Sequence, residues 1–381
     1  MTGVTSRQRV LAALEHREPD RVPIDLSSAI ATGIHVQAYA RLLKVLGLEQ
    51  DIVLWDKGSQ VVRPSERVLE LVGADVRGVV MSGRRPRAPD TPDDTMVDDW
   101  GTAWRIAPHG TCYTPVVFPL QGATHQQVES YAWPDGKDPM RTNAAAEEVK
   151  RLHEQTDYAV IAMVSWIPLL RGQYLRGFDA FLEDLLLQPS LAESILKHIQ
   201  HFQMDLAANF LDRAGAYVDV VGLGDDFSTQ NGPTVSPRLW RKVFKPRLKE
   251  YLDWIRGKTQ AKIWFHSCGS VHWVIRDLLD CGVDILNPVQ PHAADMDTAQ
   301  LKRQFGGELS FWGAIDTQQV LPFGTPEQVE GEVKRRIHDL APGGGYVLAS
   351  SHNIEADVPG ENVWAMFQAA QCWGHYPLHI S

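Results

Sequence analysis

Apolar positions fall along this chain in short blocks separated by longer periodic stretches. Seven β-branched, apolar runs read as buried strands: Val22–Leu26, Tyr158–Val164, Tyr217–Leu223, Ala261–Phe265, Val283–Asn287, Leu309–Ala314 and Tyr346–Ser350. Most are separated by segments of helical period. In Ser236–Arg256, Ser236 suits an N-cap and Pro237 the first helical position. Leu239, Val243, Leu248, Tyr251, Leu252 and Ile255 then recur at helical spacing. Strand–helix alternation implies parallel strands joined by crossover helices. Periodicity does not choose between a closed barrel and an open doubly wound sheet. No GxGxxG follows an early strand, which removes the usual sign of a dinucleotide-binding sheet. Met81–Met140 breaks the pattern, being rich in Pro, Asp, Gly and Arg. Its aromatics (Trp100, Trp104, Tyr113, Phe118, Tyr131, Trp133) are too many for a solvated tether, so it reads as an elaborated loop region packed over one barrel end.

Composition adds limits. The 381 residues suit one large domain or two to three ordinary ones. With 37 Lys+Arg against 47 Asp+Glu the net charge is −10, which argues against nucleic-acid and anionic-membrane partners. The four cysteines (Cys112, Cys268, Cys281, Cys372) are few and irregularly spaced. A reducing, cytoplasmic setting therefore suits the chain better than a disulfide framework. The N-terminal stretch holds no apolar run long enough for a secretory signal, and no segment reaches the length of a membrane span.

Candidate chemistry gathers where strands end. Ile263–Ser270 (IWFHSCGS) is an apolar strand closing on His266, Ser267, Cys268 and Gly269, with a helix expected to begin near Val271. Two residues apart on an extended chain, His266 and Cys268 point to one side. An imidazole and a thiolate converging on one point suit zinc. A second strand, after Gly343–Gly345, ends at His352 and supplies a third ligand. Three protein ligands leave a coordination position open, as catalytic zinc requires. The plainer alternative is a pair of strand-end histidines bonded to backbone carbonyls. Cys281, inside the helical run IRDLLDCG, reads as a small core hydrophobe.

A third strand ends in adjacent carboxylates, Asp225 and Asp226, followed by Gln230. Only one of the pair can point into a barrel mouth. The inward one is a general acid/base, a substrate hydrogen bond or a fourth zinc ligand; the alternative for either is a turn or helix cap. Gln230 is a candidate substrate contact, and Asp25, ending the first strand, a weaker one.

The HSCG segment resembles the H-x-C-G motif of the zinc- and corrinoid-dependent methyltransferases of the uroporphyrinogen decarboxylase-like superfamily. Their L-A-P-G-C…P-x-x-N-I segment is similar to Leu348–His352 followed by Pro359–Val363 here. Arg17–Asp25, Leu175–Leu185, Gly224–Pro237 and Trp312–Ile315 extend the likeness over nearly the whole chain. The resemblance implies a (β/α)8 TIM barrel over residues 1–381, with its site at the C-terminal strand ends, and leaves room for a homodimer. It also implies Zn2+ on His266, Cys268 and His352, a small methyl donor, and cobalamin or another corrinoid carried by a partner protein, since no DxHxxG motif occurs here.

One position departs from the pattern: His352 stands where the group has a second Cys. Two imidazoles and one thiolate leave bound zinc at +1, a stronger Lewis acid. That favours an oxygen-linked donor, such as a methoxylated aromatic, over activation of a thiol. Three alternatives remain. A methylcorrinoid:thiol methyltransferase would follow the coenzyme M enzymes of the group. A uroporphyrinogen decarboxylase-type carboxy-lyase lacks its R-P-x-W-x-M-R-Q-A-G-R-Y segment here, and the basic cluster Arg84, Arg85 and Arg87 lies in a loop and reads more simply as solvated surface. A non-catalytic tetrapyrrole-binding scaffold would need no open zinc position.

Overall fold

The computed structural model describes residues 3–81, 95–107 and 110–379. Seven parallel strands form its central sheet: β1 Val76–Val80, β2 Ala159–Met163, β3 Val220–Gly224, β4 Lys262–His266, β5 Ile285–Asn287, β6 Ser310–Ile315 and β7 Tyr346–Ser350. Each pairs with its neighbour in chain order, from β1 through to β7. The gap between β7 and β1 is closed by the first predicted strand. Asp25 N–H donates to Leu348 O, Leu348 N–H to Pro23 O, and Asp75 N–H to Ile24 O. Residues 23–25 thus serve as the eighth staff of a (β/α)8 barrel, although only Ile24 makes a ladder bridge to β7. Ile24 itself gives its N–H to the Asp75 side chain.

The barrel interior is packed with Val76, Ala159, Ile161, Val220, Trp264, Ile285, Trp312, Val347 and Ala349. Val10 and Leu14 join that cluster from the helix Ser6–Leu14, whose Thr5–Gln8 capping box fixes its start. This helix plugs the N-terminal end of the barrel: Arg7 N–H bonds Asp157 O just before β2, and Ala13 O accepts from Gly345 just before β7. The opposite end is therefore the open one.

Three features differ from the sequence reading. β1 escapes the apolar pattern because Arg77 and Gly78 interrupt it. The Arg77 guanidinium leaves the barrel sideways to Glu66 and lies 3.5 Å from the Tyr158 ring centre. Gly78 is required, because a Cβ there would sit 1.7 Å from Ser28 O. Helix Pro237–Arg256 forms as expected with Ser236 as its cap, but Trp240 and Phe244 carry its buried face where Leu239 and Val243 were expected. The 81–140 region also contains regular structure, a three-stranded antiparallel sheet of Met96–Val97, Ala103–Ile106 and Tyr113–Val117. It lies against helix Pro168–Arg176 through Asp98–Arg171 (3.0 Å) and Thr102 Oγ1 to Tyr174 O (3.0 Å). Arg84, Arg85 and Arg87 fall outside the described residues. No helix among the described residues is long and apolar enough to cross a membrane.

Candidate metal centre and its cavity

His266 is the last residue of β4, and Cys268 follows in a turn that opens on Gly269. Gly269 has φ +84°, and a Cβ on it would meet Thr229 O at 2.4 Å, so the turn needs glycine. His352 lies two residues beyond the end of β7, also on the open face. The barrel's curl brings the three together. One ligand atom from each of His266, Cys268 and His352 lies within 4.8 Å of the other two, and Cys268 Sγ is 3.3 Å from His266 Nε2. A thiol and two imidazole nitrogens facing one another form a donor set that fits zinc. A short 3-10 turn, His272–Val274, follows before helix Ile275–Cys281, so no long helix starts directly behind the thiol. Burial pushes the Cys268 thiol well above its ordinary value, and the neighbouring Asp226 carboxylate pushes it further. Burial also favours neutral His266, against the pull of Asp226.

The two carboxylates divide their work. Asp225 is buried, and its oxygens accept the N–H groups of Leu169 (2.5 Å) and Leu170 (3.1 Å). It thereby caps helix Pro168–Arg176 from another strand, and burial raises its pKa well above the carboxylate range. Asp226 is part-exposed and lines the cavity. Its Oδ1 accepts Cys268 N–H at 2.8 Å and lies 3.8 Å from His266 Nε2. Gln230 stands behind the ligand turn: its Nε2 donates to Gln290 Oε1, which also accepts Gly269 N–H at 2.9 Å. Asp25 is buried, its carboxylate taken up by Ser28 N–H and Oγ–H and by Trp312 Nε1–H at 2.8 Å. Cys281 is a buried core residue, while Cys112 and Cys372 are exposed.

His266 and His352 of the trio line a cavity of about 480 Å3. Apolar walls come from Ile30, Met81, Met163, Trp166, Leu170 and Trp264, with Asp226, His266, His352 and Asn353 at the polar end. No Lys or Arg among the described residues lines it. The Trp264 and His266 rings are nearly parallel, 5.9 Å apart. Sequence reading missed these walls. It also missed Asn287, which ends β5 opposite His266 and sets Oδ1 2.7 Å from His266 Nδ1. A polar residue closing an apolar strand was the available signal, the same one that marks His266.

This barrel, with its site at the C-terminal strand ends, has known counterparts. The family model described as "Uroporphyrinogen decarboxylase (URO-D)" matches residues 106–373, and the chain belongs to that family. Two similar curated proteins are both "Methylcobamide:CoM methyltransferase MtaA". One, from Methanosarcina barkeri, is 25% identical over 212 residues, which cover 53% of this chain and 58% of that protein. The other, from M. barkeri strain Fusaro, is 24% identical over the same shares. The chain thus spans a little over half the length of the curated relatives it matches. A solved structure, "methyltransferase from Methanosarcina mazei", shares the fold at TM-score 0.67 and 19% identity, covering 96% of this chain and 98% of that one.

Proposed function

We propose that this chain is a zinc-dependent methyltransferase that takes the methyl group of a small oxygen-linked donor, of the methoxyaromatic class, and passes it to a corrinoid on a partner protein. The observation that carries this reading is the apolar cavity whose polar end holds His266 and His352, the two histidines grouped with Cys268. The names of the curated relatives support the reaction class. Zinc held by these three residues would supply an electrophile that draws electron density from the ether oxygen and eases departure of its methyl group.

The chain's own residues do the rest. Trp166, Trp264 and Met163 offer flat or deformable apolar surface to an aromatic ring and keep water from it. Asp226 is placed to hold a proton for the oxygen that keeps the bonding electron pair. Asp225 fixes the start of the helix that forms one cavity wall. Against a carboxy-lyase stands the wall itself, which offers no Lys or Arg among the described residues to a polycarboxylate substrate. Against thiol methylation stands His352, which leaves the site one thiolate short of a neutral zinc centre.

Metal analysis of the purified protein, then a panel of methoxylated aromatics with a cobalt(I) corrinoid followed by its absorbance, tests the proposal. The expected result is about one zinc per chain and zinc-dependent formation of methylcorrinoid. Efficient methylation of free thiols with methyl ethers ignored would overturn the donor class. Metal-free conversion of uroporphyrinogen to coproporphyrinogen would overturn the whole reading.

A further inference from the structure

We infer that Asn287 is the positioning residue of the metal centre: it sets which nitrogen of His266 faces the cavity, and it does so without adding charge. The inference deepens, and rests on, the metal reading above. Asn287 is fully buried at the end of β5 and pairs in register with His266 at the end of β4. Its amide is held at both ends. Nδ2 donates to Trp312 O at 3.1 Å, so Oδ1 is the atom turned toward His266 Nδ1, 2.7 Å away. An amide oxygen only accepts, so Nδ1 must carry the imidazole proton. The lone pair is thereby left on Nε2, the nitrogen 3.3 Å from Cys268 Sγ. The Asn287 backbone joins in, because its carbonyl accepts Ser267 N–H at 2.7 Å and so pins the turn that carries Cys268.

The choice of amide over carboxylate matters chemically. Partners behind a ligating histidine orient the ring, and a carboxylate there also makes it a stronger electron donor. Asn287 gives the orientation and withholds the charge. With two imidazoles and one thiolate in front, the neutral amide behind His266 adds no further negative charge to that of the thiolate and the nearby Asp226 carboxylate.

Two variants separate orientation from charge. Asn287→Asp keeps an acceptor at Oδ1 and adds charge; Asn287→Leu removes the acceptor. In chelator competition, N287L is expected to bind zinc roughly 10- to 100-fold more weakly than wild type, while N287D binds at least as tightly. The Co2+-loaded N287D protein should show a shifted thiolate-to-cobalt band and slower demethylation of oxygen donors despite full occupancy. Independently of any metal or variant, histidine-labelled wild type in the metal-free state should show His266 as the Nδ1–H tautomer by 15N NMR. An Nε2–H tautomer overturns the inference, even if N287L fails to fold. Equal zinc affinity in wild type and N287L, or unchanged turnover in fully loaded N287D, overturns it as well. A wild type that takes up no zinc sinks the metal reading instead, and the tautomer still decides the role of Asn287.

Discussion

Replacing Asp226 by Asn removes one charge and leaves the shape intact. The Asn oxygen can still accept Cys268 N–H, now 2.8 Å from Asp226 Oδ1, so the ligand turn survives. The cost to folding is the difference between a charged and a neutral acceptor, about 1 kcal/mol. The cost to chemistry is larger. Losing a positioned proton-transfer group lowers rate by about 10²- to 10⁴-fold, or about 2.7–5.5 kcal/mol of barrier. A second effect has a definite sign. The Asp226 charge helps hold the Cys268 thiol above its ordinary value, so removing it eases formation of the thiolate. Zinc uptake by D226N should therefore reach half-saturation at lower pH than in wild type. The assay combines kcat with a methoxyaromatic donor, thermal unfolding, and zinc uptake against pH. If D226N turns over within tenfold of wild type, Asp226 is not the proton-handling group, and an uptake midpoint that moves to higher pH refutes its charge effect on the Cys268 thiol.

His352→Cys should keep zinc, slow demethylation of oxygen donors by about tenfold, equal to about 1.4 kcal/mol, and raise methyl transfer to free thiols; kinetics on both substrate types check it. Asp75→Asn should destabilise the barrel by about 3–5 kcal/mol in urea unfolding, because the fully buried Asp75 carboxylate answers Arg9 (2.6 Å) and Arg21 (2.8 Å) and also accepts Ile24 N–H. Burial raises the pKa of Asp25 in the folded chain, so this group contributes stability below its unfolded pKa that is lost as pH rises through its folded one. The non-titrating Asp25→Asn should accordingly gain on wild type as pH rises through that window, and a stability difference that is flat or shrinks with pH refutes the assignment.

Much of this was legible because strands in a barrel end at its active face. The HSCG and SSH strand ends, and the Asp225–Asp226 pair, are polar groups closing apolar runs, and the curl of the sheet gathers them. What stayed hidden depends on contacts between distant segments. Asp226 and Asp225 are chemically identical in sequence; only the start of helix Pro168–Arg176 decides that Asp225 is the cap. Asp25 and Gln230 read as open polar groups, but Trp312 and Gln290, far along the chain, engage them. β1 went unread because a buried arginine resolves its charge sideways, onto Glu66 and Tyr158. The cavity wall is made of ordinary apolar residues whose pattern is indistinguishable from core.

The seam between residues 23–25 and β7 joins chain segments that leave the ribosome more than three hundred positions apart, as does the nearby bridge from Arg21 to His375. During synthesis the N-terminal segment has no partner on that side until β7 emerges, and β6 in turn waits for β7 as its outer neighbour. The nascent sheet therefore grows with an open edge throughout translation, the condition under which strand edges recruit other chains. His352 arrives only after β7, so the metal ligands assemble at the moment the ring shuts. A chain cut short before β7 would lack His352 as well as the closing staff, which ties possession of the complete ligand set to completion of the barrel.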